Sequence, residues 1–321
     1  MPISTRLTEL LRIQHPILLA PMDVVADGRL AATVSRAGAF GIIGGGYGNE
    51  EWLRRELDAA GDARIGVGFI TWSMAKNPRL LDLALERKPA AVMLSFGELQ
   101  PHAGKIKQAG ALMICQVQTV EQARDAVANG ADVLVAQGAE AGGHGSARGT
   151  FALVPAVVDA ARGTPVAAAG GVADGRGLAA ALMLGADGVL AGTRFYATQE
   201  AVGADAAKRR LVAASGDATI RSILFDIARR NVWPAPYTGR VLRNAFSEKW
   251  RGREAELMQH QAAEADRYDM ARAAGDFDTA AVIAGEGVDM ISDIPPAAEV
   301  VDRMVKEAAA LLAGSNRYRV G

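Results

Sequence analysis

The feature that most constrains this chain is a set of eight short apolar runs spread over its first two-thirds. They are PILLAPM from Pro16, FGIIGGG from Phe40, IGVGFIT from Ile65, AVMLSFG from Ala91, LMICQVQ from Leu112, VLVAQG from Val133, PVAAAGG from Pro165 and GVLAGTRF from Gly188. Successive starts lie about 20 to 33 residues apart, enough for a helix between strands. Most runs are continuously apolar instead of alternating, as strands buried on both faces of a parallel sheet are.

Helical segments fill the gaps. NEEWLRRELDAAG opens on a cap candidate, Asn49, and closes on Gly61. TVEQARDAVANG opens with Thr119 and Gln122 at capping-box spacing. Four segments, RAGAFGIIGG, QAGALMICQ, NGADVLVAQG and LGADGVLAGT, repeat a Gly-Ala step between a helix end and a strand start. The glycine of each step fits a helix C-cap. Eight such units predict an α/β fold of the closed (β/α)8 TIM-barrel kind, with an open doubly wound sheet as the competing architecture. The pattern changes after about Thr198. Residues 205–289 read as helical, without clear buried strands, and Pro295-Pro296 introduces a last amphipathic helix. The expected division is a barrel from 1–204 and 290–321, whose eighth outer helix is the last one, and a smaller helical cap from 205–289.

Composition narrows the function classes. The net charge of -1 gives no field that favours nucleic acid or an anionic membrane. The single cysteine, Cys115, excludes an internal disulfide and reads as inert core. The N-terminal stretch is too polar for a signal peptide and no apolar run is long enough to span a bilayer. A soluble cytoplasmic protein is expected.

In a barrel of this kind the site lies at the C-terminal ends of the strands. That rule gathers Met22, Gly44–Gly46, Gly68, Gln116, Gln137, Gly170, Gly171, Gly192 and Thr193 into one ring, rich in glycine and amides and poor in acids. No paired carboxylates and no cluster with metal-ligand spacing appear there. The ring suits a large planar cofactor held through backbone and amide groups. Glycines after the seventh and eighth runs fall where barrels bind phosphate, beside a helix N-terminus. Gly44–Gly46 reads as a plain loop. Within AQGAEAGGHG, His144 lies just beyond the sixth run, where an imidazole acts as acid or base near neutral pH or donates to an anion. Glu140 reads equally well as a loop brace or a functional acid. His15, His102 and His260 read as core or surface groups, and Arg240 and Arg243 as exposed arginines on a solvated helix.

AQGAEAGGHG, followed by PVAAAGGVADGRGLAAALMLGADGVLAGTRFYATQE, resembles the nitronate monooxygenase family, formerly called 2-nitropropane dioxygenases. PILLAPM and GEGVDMISDIPPAAEVV extend the resemblance over nearly the whole chain. It implies an FMN-bearing barrel with a helical cap that oxidises nitronates or nitroalkanes with O2. By motif, Ala20, Pro21 and Met22 would lie against the isoalloxazine, with Gly68, Gln116 and Gln137 at its polar edge or ribityl chain. Gly142 would line the flavin, and Gly170, Gly171, Gly192 and Thr193 would hold the phosphate. His144 takes the place of the family's active-site histidine. Gly68 stands where some members carry Asn and Gln116 where some carry Lys, which bears on redox detail. The same motifs resemble flavin-dependent enoyl-acyl-carrier-protein reductases and NADH:quinone reductases, which take hydride from NAD(P)H; a non-catalytic FMN-binding protein is the remaining alternative. No metal, nucleic acid or membrane partner is implied, and a homodimer is left open.

Overall fold

The structure, a computed structural model, describes residues 3–314. The ends of the expected barrel range, 1–2 and 315–321, lie outside the described residues. Each of the eight apolar runs forms a strand. In chain order these are β1 (Ile17–Leu19), β2 (Ile42–Gly44), β3 (Gly66–Ile70), β4 (Ala91–Ser95), β5 (Leu112–Val117) and β6 (Val133–Gln137). A short strand β7 (Gly143–Gly145) leaves the barrel, and β8 (Val166–Ala169) and β9 (Gly188–Ala191) complete it.

The eight barrel strands are parallel, in the order β1-β9-β8-β6-β5-β4-β3-β2. A parallel bridge between Leu18 and Phe40 joins the two ends of that order. Two backbone hydrogen bonds support it, Leu19 N–H to Phe40 O and Phe40 N–H to Ile17 O, both 2.9 Å. The sheet is therefore a ring, and the doubly wound alternative is excluded.

The runs are continuously apolar because both faces are covered. Leu18, Met93, Ile114, Val133, Val135, Ala167 and Leu190 pack inside the barrel. Their neighbours Ile17, Leu19, Val92, Leu94, Cys115, Leu134, Ala136 and Val189 pack outward against the helices. Leu7 and Leu11 of the first helix, Arg6–Leu11, join the interior cluster. Cys115 is fully buried in the outer layer, where burial pushes its thiol up to about 12, so it stays a protonated core group. The period-two alternation then fixes which strand-end residues point inward: Gln116 follows the parity of Ile114, and Gln137 that of Val135.

The helices between strands start and stop as their cap residues dictate. Asn49 accepts from Trp52 N–H at 2.8 Å to open Glu50–Ala60. Gly38, Gly110, Gly130 and Gly185, the glycines of the four Gly-Ala steps, all have φ between 72° and 92°, a backbone that residues with a Cβ enter at a cost. One expectation shifts by a residue. Thr119 caps Gln122 N–H, but the Gln122 side chain returns to the N–H of Gln118 and not to that of Thr119, so no reciprocal capping box closes. The last helix, Ala297–Ala313, packs between the helices Gly28–Arg36 and Gly175–Met183 and occupies the eighth outer position.

The segment after the barrel departs from the helical expectation. It contains two strands, β10 (Thr219–Ser222) and β11 (Thr238–Leu242), which pair antiparallel. β11 also pairs antiparallel with β7, setting His144 opposite Gly239. The histidine loop of the barrel is thus the third strand of the cap sheet. A separate apolar cluster including Leu224, Phe225, Phe246, Trp250, Tyr268 and Ile291 supports this layer.

Candidate active site

A cavity of about 430 Å³ opens between the C-terminal ends of the barrel strands and the cap. Its floor comes from the barrel. Ala20, Pro21 and Met22 follow β1, Gly68 lies within β3, Gln116 within β5, and Gln137 ends β6. Gly170 and Gly171 follow β8, and Gly192 and Thr193 follow β9. Gly142 and His144 enter from the β7 segment. All twelve residues singled out in the sequence therefore line one cavity. Gly46 lines it too, while Gly44 makes room for the Met22 carbonyl, 2.4 Å from where a Cβ would stand. His15, His102 and His260 are not among the lining residues.

The glycines serve two purposes. A Cβ on Gly68 would stand 2.4 Å from Pro21 Cβ, and one on Gly170 2.7 Å from Thr150 Oγ1. On Gly142 it would stand 2.7 Å from the Ala284–Gly285 backbone. These positions are small because protein passes close to them. Gly171 differs: its φ is +72° and the nearest atom to an added Cβ is 3.6 Å away. The N–H groups of Gly171, Val172, Gly192 and Thr193 have no acceptor among the described residues, and all four residues line the cavity. Such a set of free donors suits a phosphate or another anion. The helix Gly175–Met183 does not add to it. Its Gly175 N–H already reaches Glu307 Oε2 at 2.8 Å, and its Gly177 N–H reaches Asp174 Oδ1.

The amides form a hub. Gln137 Oε1 accepts from Gln116 Nε2 at 3.2 Å and from the buried Gln118 Nε2 at 2.9 Å. Gln137 Nε2 donates to the His144 carbonyl at 3.0 Å. The Gln137 amide thus ties the barrel floor to the histidine strand, and Gln116 keeps its amide oxygen free of partners among the described residues. Glu140 is a brace: it accepts from Thr150 N–H at 2.9 Å and from Thr150 Oγ1 at 2.8 Å.

The His144 side chain is only 9% exposed, with Nε2 2.9 and 3.0 Å from the two carboxylate oxygens of Asp226. Asp226 lies on the cap helix Leu224–Ala228 and is itself buried. Trp233 stacks on the imidazole with centroids 3.4 Å apart and planes 5° from parallel. Burial pulls the imidazole below its ordinary 6.5, outweighing the hydrogen bond and charge of Asp226, which push it up. The neutral ring gives its Nε2 hydrogen to the carboxylate, and Nδ1 has no partner among the described residues. Gly239, across from His144, leaves the imidazole room, since a Cβ there would stand 3.4 Å from Nε2.

Two cap arginines hold the same loop. Arg221 Nη2 donates to the Ala139 and Ala141 carbonyls at 2.9 and 3.2 Å, and burial lowers its pKa to about 10. Arg240 Nε donates to Ala139 O at 3.0 Å, and its Nη2 pairs with Glu286 at 2.8 Å. Arg240 is accordingly a mostly buried strand residue and not an exposed helical one, as its sequence context suggests. Arg243 is exposed, just past the end of β11, and bonds the Asp217 carbonyl.

A ring of strand-end glycines and amides under a histidine is the arrangement that the motifs imply, and comparison with known proteins decides the family. The family model for nitronate monooxygenase matches residues 4–64 and 69–307. This chain belongs to the nitronate monooxygenase family. A nitronate monooxygenase of Neurospora crassa is 35% identical, over 92% of this chain and 89% of that protein. A Mycobacterium tuberculosis protein, (3aS,4S,5R,7aS)-5-hydroxy-7a-methyl-1-oxo-octahydro-1H-indene-4-carboxyl-CoA dehydrogenase, is 36% identical over 70% of this chain, and the match spans 65% of that protein. Among solved structures, FabK from Thermotoga maritima superposes with a TM-score of 0.86 at 31% identity, covering 99% of this chain and 100% of that one. As a member of the nitronate monooxygenase family the chain is a flavin-dependent oxidoreductase. No described helix is long and apolar enough to cross a membrane, and no metal-binding cluster is found among the described residues.

Sequence reasoning missed Asp226, Arg229 and Trp233. The signal for Asp226 is present in SILFDIA, where one acid interrupts an apolar stretch. Nothing in the local sequence connects it to a histidine 82 residues earlier.

Proposed function

We propose that the protein catalyses the FMN-dependent oxidation of alkyl nitronates by O2, releasing a carbonyl compound and nitrite. The observation that carries this reading is the neutral His144, held by Asp226 and stacked on Trp233, at the edge of a glycine-lined floor with free N–H donors. Gly171, Gly192 and Thr193 fit the FMN phosphate, with Ala20, Pro21 and Met22 against the ring system and Gln116 at its polar edge. When bound, FMN supplies the electron transfer and the reaction with O2.

The chain's own groups supply binding and proton chemistry. With Nε2–H engaged by Asp226, His144 presents Nδ1 as a base, and it takes the α-proton of a neutral nitroalkane. The C–H electron pair moves into the nitro group and leaves the nitronate. The imidazolium so formed is stabilised by the adjacent carboxylate. Substrates supplied as nitronates bypass this step. The lowered pKa keeps Nδ1 free below pH 6.5, so kcat/KM for a neutral nitroalkane should hold through neutral pH and fall only as pH drops below that value.

The test is an assay of the purified yellow protein. Alkyl nitronate in air should be consumed with formation of nitrite and carbonyl compound, the released chromophore should be FMN, and anaerobic NADH should leave the flavin oxidised. Rapid bleaching by NADH without nitrite formation would contradict the proposal and point to a reductase.

A further inference from the structure

A nitronate carries a full negative charge spread over two oxygens of a planar group. The neutral His144 has no donor left for it, because its one N–H is held by Asp226. Arg229 is placed to supply that donor. It caps the C-terminal end of the helix Leu224–Ala228, three residues beyond Asp226, and lines the same cavity. Its side chain is only 15% exposed, yet it makes no hydrogen bond to any described residue. Its one ion pair is with Asp23, whose Oδ2 stands 3.7 Å away, beyond hydrogen-bond reach. The guanidinium carbon is 5.6 Å from the centre of the Tyr47 ring, which supports the cation from one side.

The neighbouring arginines spend most of their donors on the protein, although Nε of Arg194 and of Arg221 is itself buried without a partner among the described residues. Arg221 gives its donors to backbone carbonyls, Arg240 to Ala139 and Glu286, and Arg194 to Ala197 and Asp293. None of these three lines the cavity. A mostly buried guanidinium that faces a cavity with unspent donors, and only a loose ion pair to Asp23, is placed to take an anionic ligand. Burial pushes the Asp23 carboxyl up while the charge of Arg229 pulls it down, so the two stand as a loose ion pair for which an anionic ligand would compete.

We infer that Arg229 is the anion receptor of this site, its planar fork taking the two oxygens of the nitronate and so setting a preference for nitronate over the neutral nitroalkane. This inference rests on the nitronate reading for its substrate, but the anion site itself can be tested apart from turnover. Nitrate, planar and anionic, is the probe, titrated calorimetrically into the holoenzyme. Wild type should bind it, Arg229→Gln should bind it at least about 30-fold more weakly, and Arg229→Lys should fall between. Arg230→Gln should leave binding unchanged, since Arg230 is exposed and paired with Asp266 and Asp269. In steady state, Arg229→Gln should raise KM for a nitronate at least about 30-fold and that for the matching neutral nitroalkane less than about threefold.

Equal nitrate binding by wild type and Arg229→Gln, or equal losses with both substrates, would overturn the inference. Should Arg229→Gln fail to fold, Asp23→Asn replaces it: removing the competing carboxylate should tighten nitrate binding, and unchanged or weaker binding overturns the assignment. Arg229-dependent nitrate binding without nitronate turnover would uphold the anion site and sink the proposed reaction. Nitronate turnover that ignores Arg229→Gln would do the reverse.

Discussion

Gly68, Gln116 and Gln137 reach the cavity because each occupies an inward-facing place on a barrel strand, in register with a neighbouring parallel strand. His144, Arg229 and Trp233 reach it because a second layer folds down over the barrel mouth, joined by the pairing of His144 with Gly239 and by the Gln137 bond to the His144 carbonyl. The floor offers backbone N–H groups, small residues and amides, and the wall offers a base, a cation and aromatic faces. In this account the floor holds the cofactor and the wall handles the substrate's proton and charge. Changes to one should therefore leave the other's task largely intact.

The sharpest way to break that division is at Asp226, which positions His144 without lining the cavity. Asp226→Asn should keep FMN while lowering kcat/KM for a neutral nitroalkane by about 10²-fold or more. The acid limb of its pH profile should also move to lower pH, because the carboxylate's hydrogen bond and charge are what raise the His144 pKa against burial. A limb that moves upward would contradict this role. On the floor, Gly68→Leu forces Pro21 aside and should weaken FMN binding about 10- to 100-fold, read by the flavin lost on dialysis. Turnover per bound flavin should fall much less. The smallest effect is expected at Gly171, where an added Cβ has space but the backbone is left-handed. Gly171→Ala should cost about 1–2 kcal/mol of stability in denaturant unfolding, with His144 chemistry unchanged.

The same division explains what could be read from the chain beforehand. Barrel positions were legible because two local rules locate them: continuous apolar runs mark the strands, and the C-terminal ends of those strands mark the site. Those rules place Gln116 and Gln137 without knowledge of their partners. The cap obeys no such rule. TIRS and TGRVL are short, carry arginines, and become strands only by pairing with each other and, for TGRVL, with the GHG segment. Arg240 looks like a solvated residue until the Ala139 carbonyl and Glu286 are brought beside it. Asp226 and Arg229 are separated from their partners, His144 and Asp23, by 82 and 206 residues, so only tertiary packing joins them. His144 itself was visible as a histidine among glycines at a strand end. Its tautomer and its indole cover were not, because both come from the cap.

The most direct measurement is made on His144→Ala, with bound FMN and turnover determined in the same sample. FMN occupancy should match wild type, while kcat/KM for a neutral nitroalkane falls by about 10²- to 10⁴-fold, the range of a lost general base. Turnover of the preformed nitronate should fall far less, since its proton is already gone. Loss of FMN together with activity, or equal losses for nitroalkane and nitronate, would contradict the assignment of cofactor binding to the floor and proton transfer to the wall.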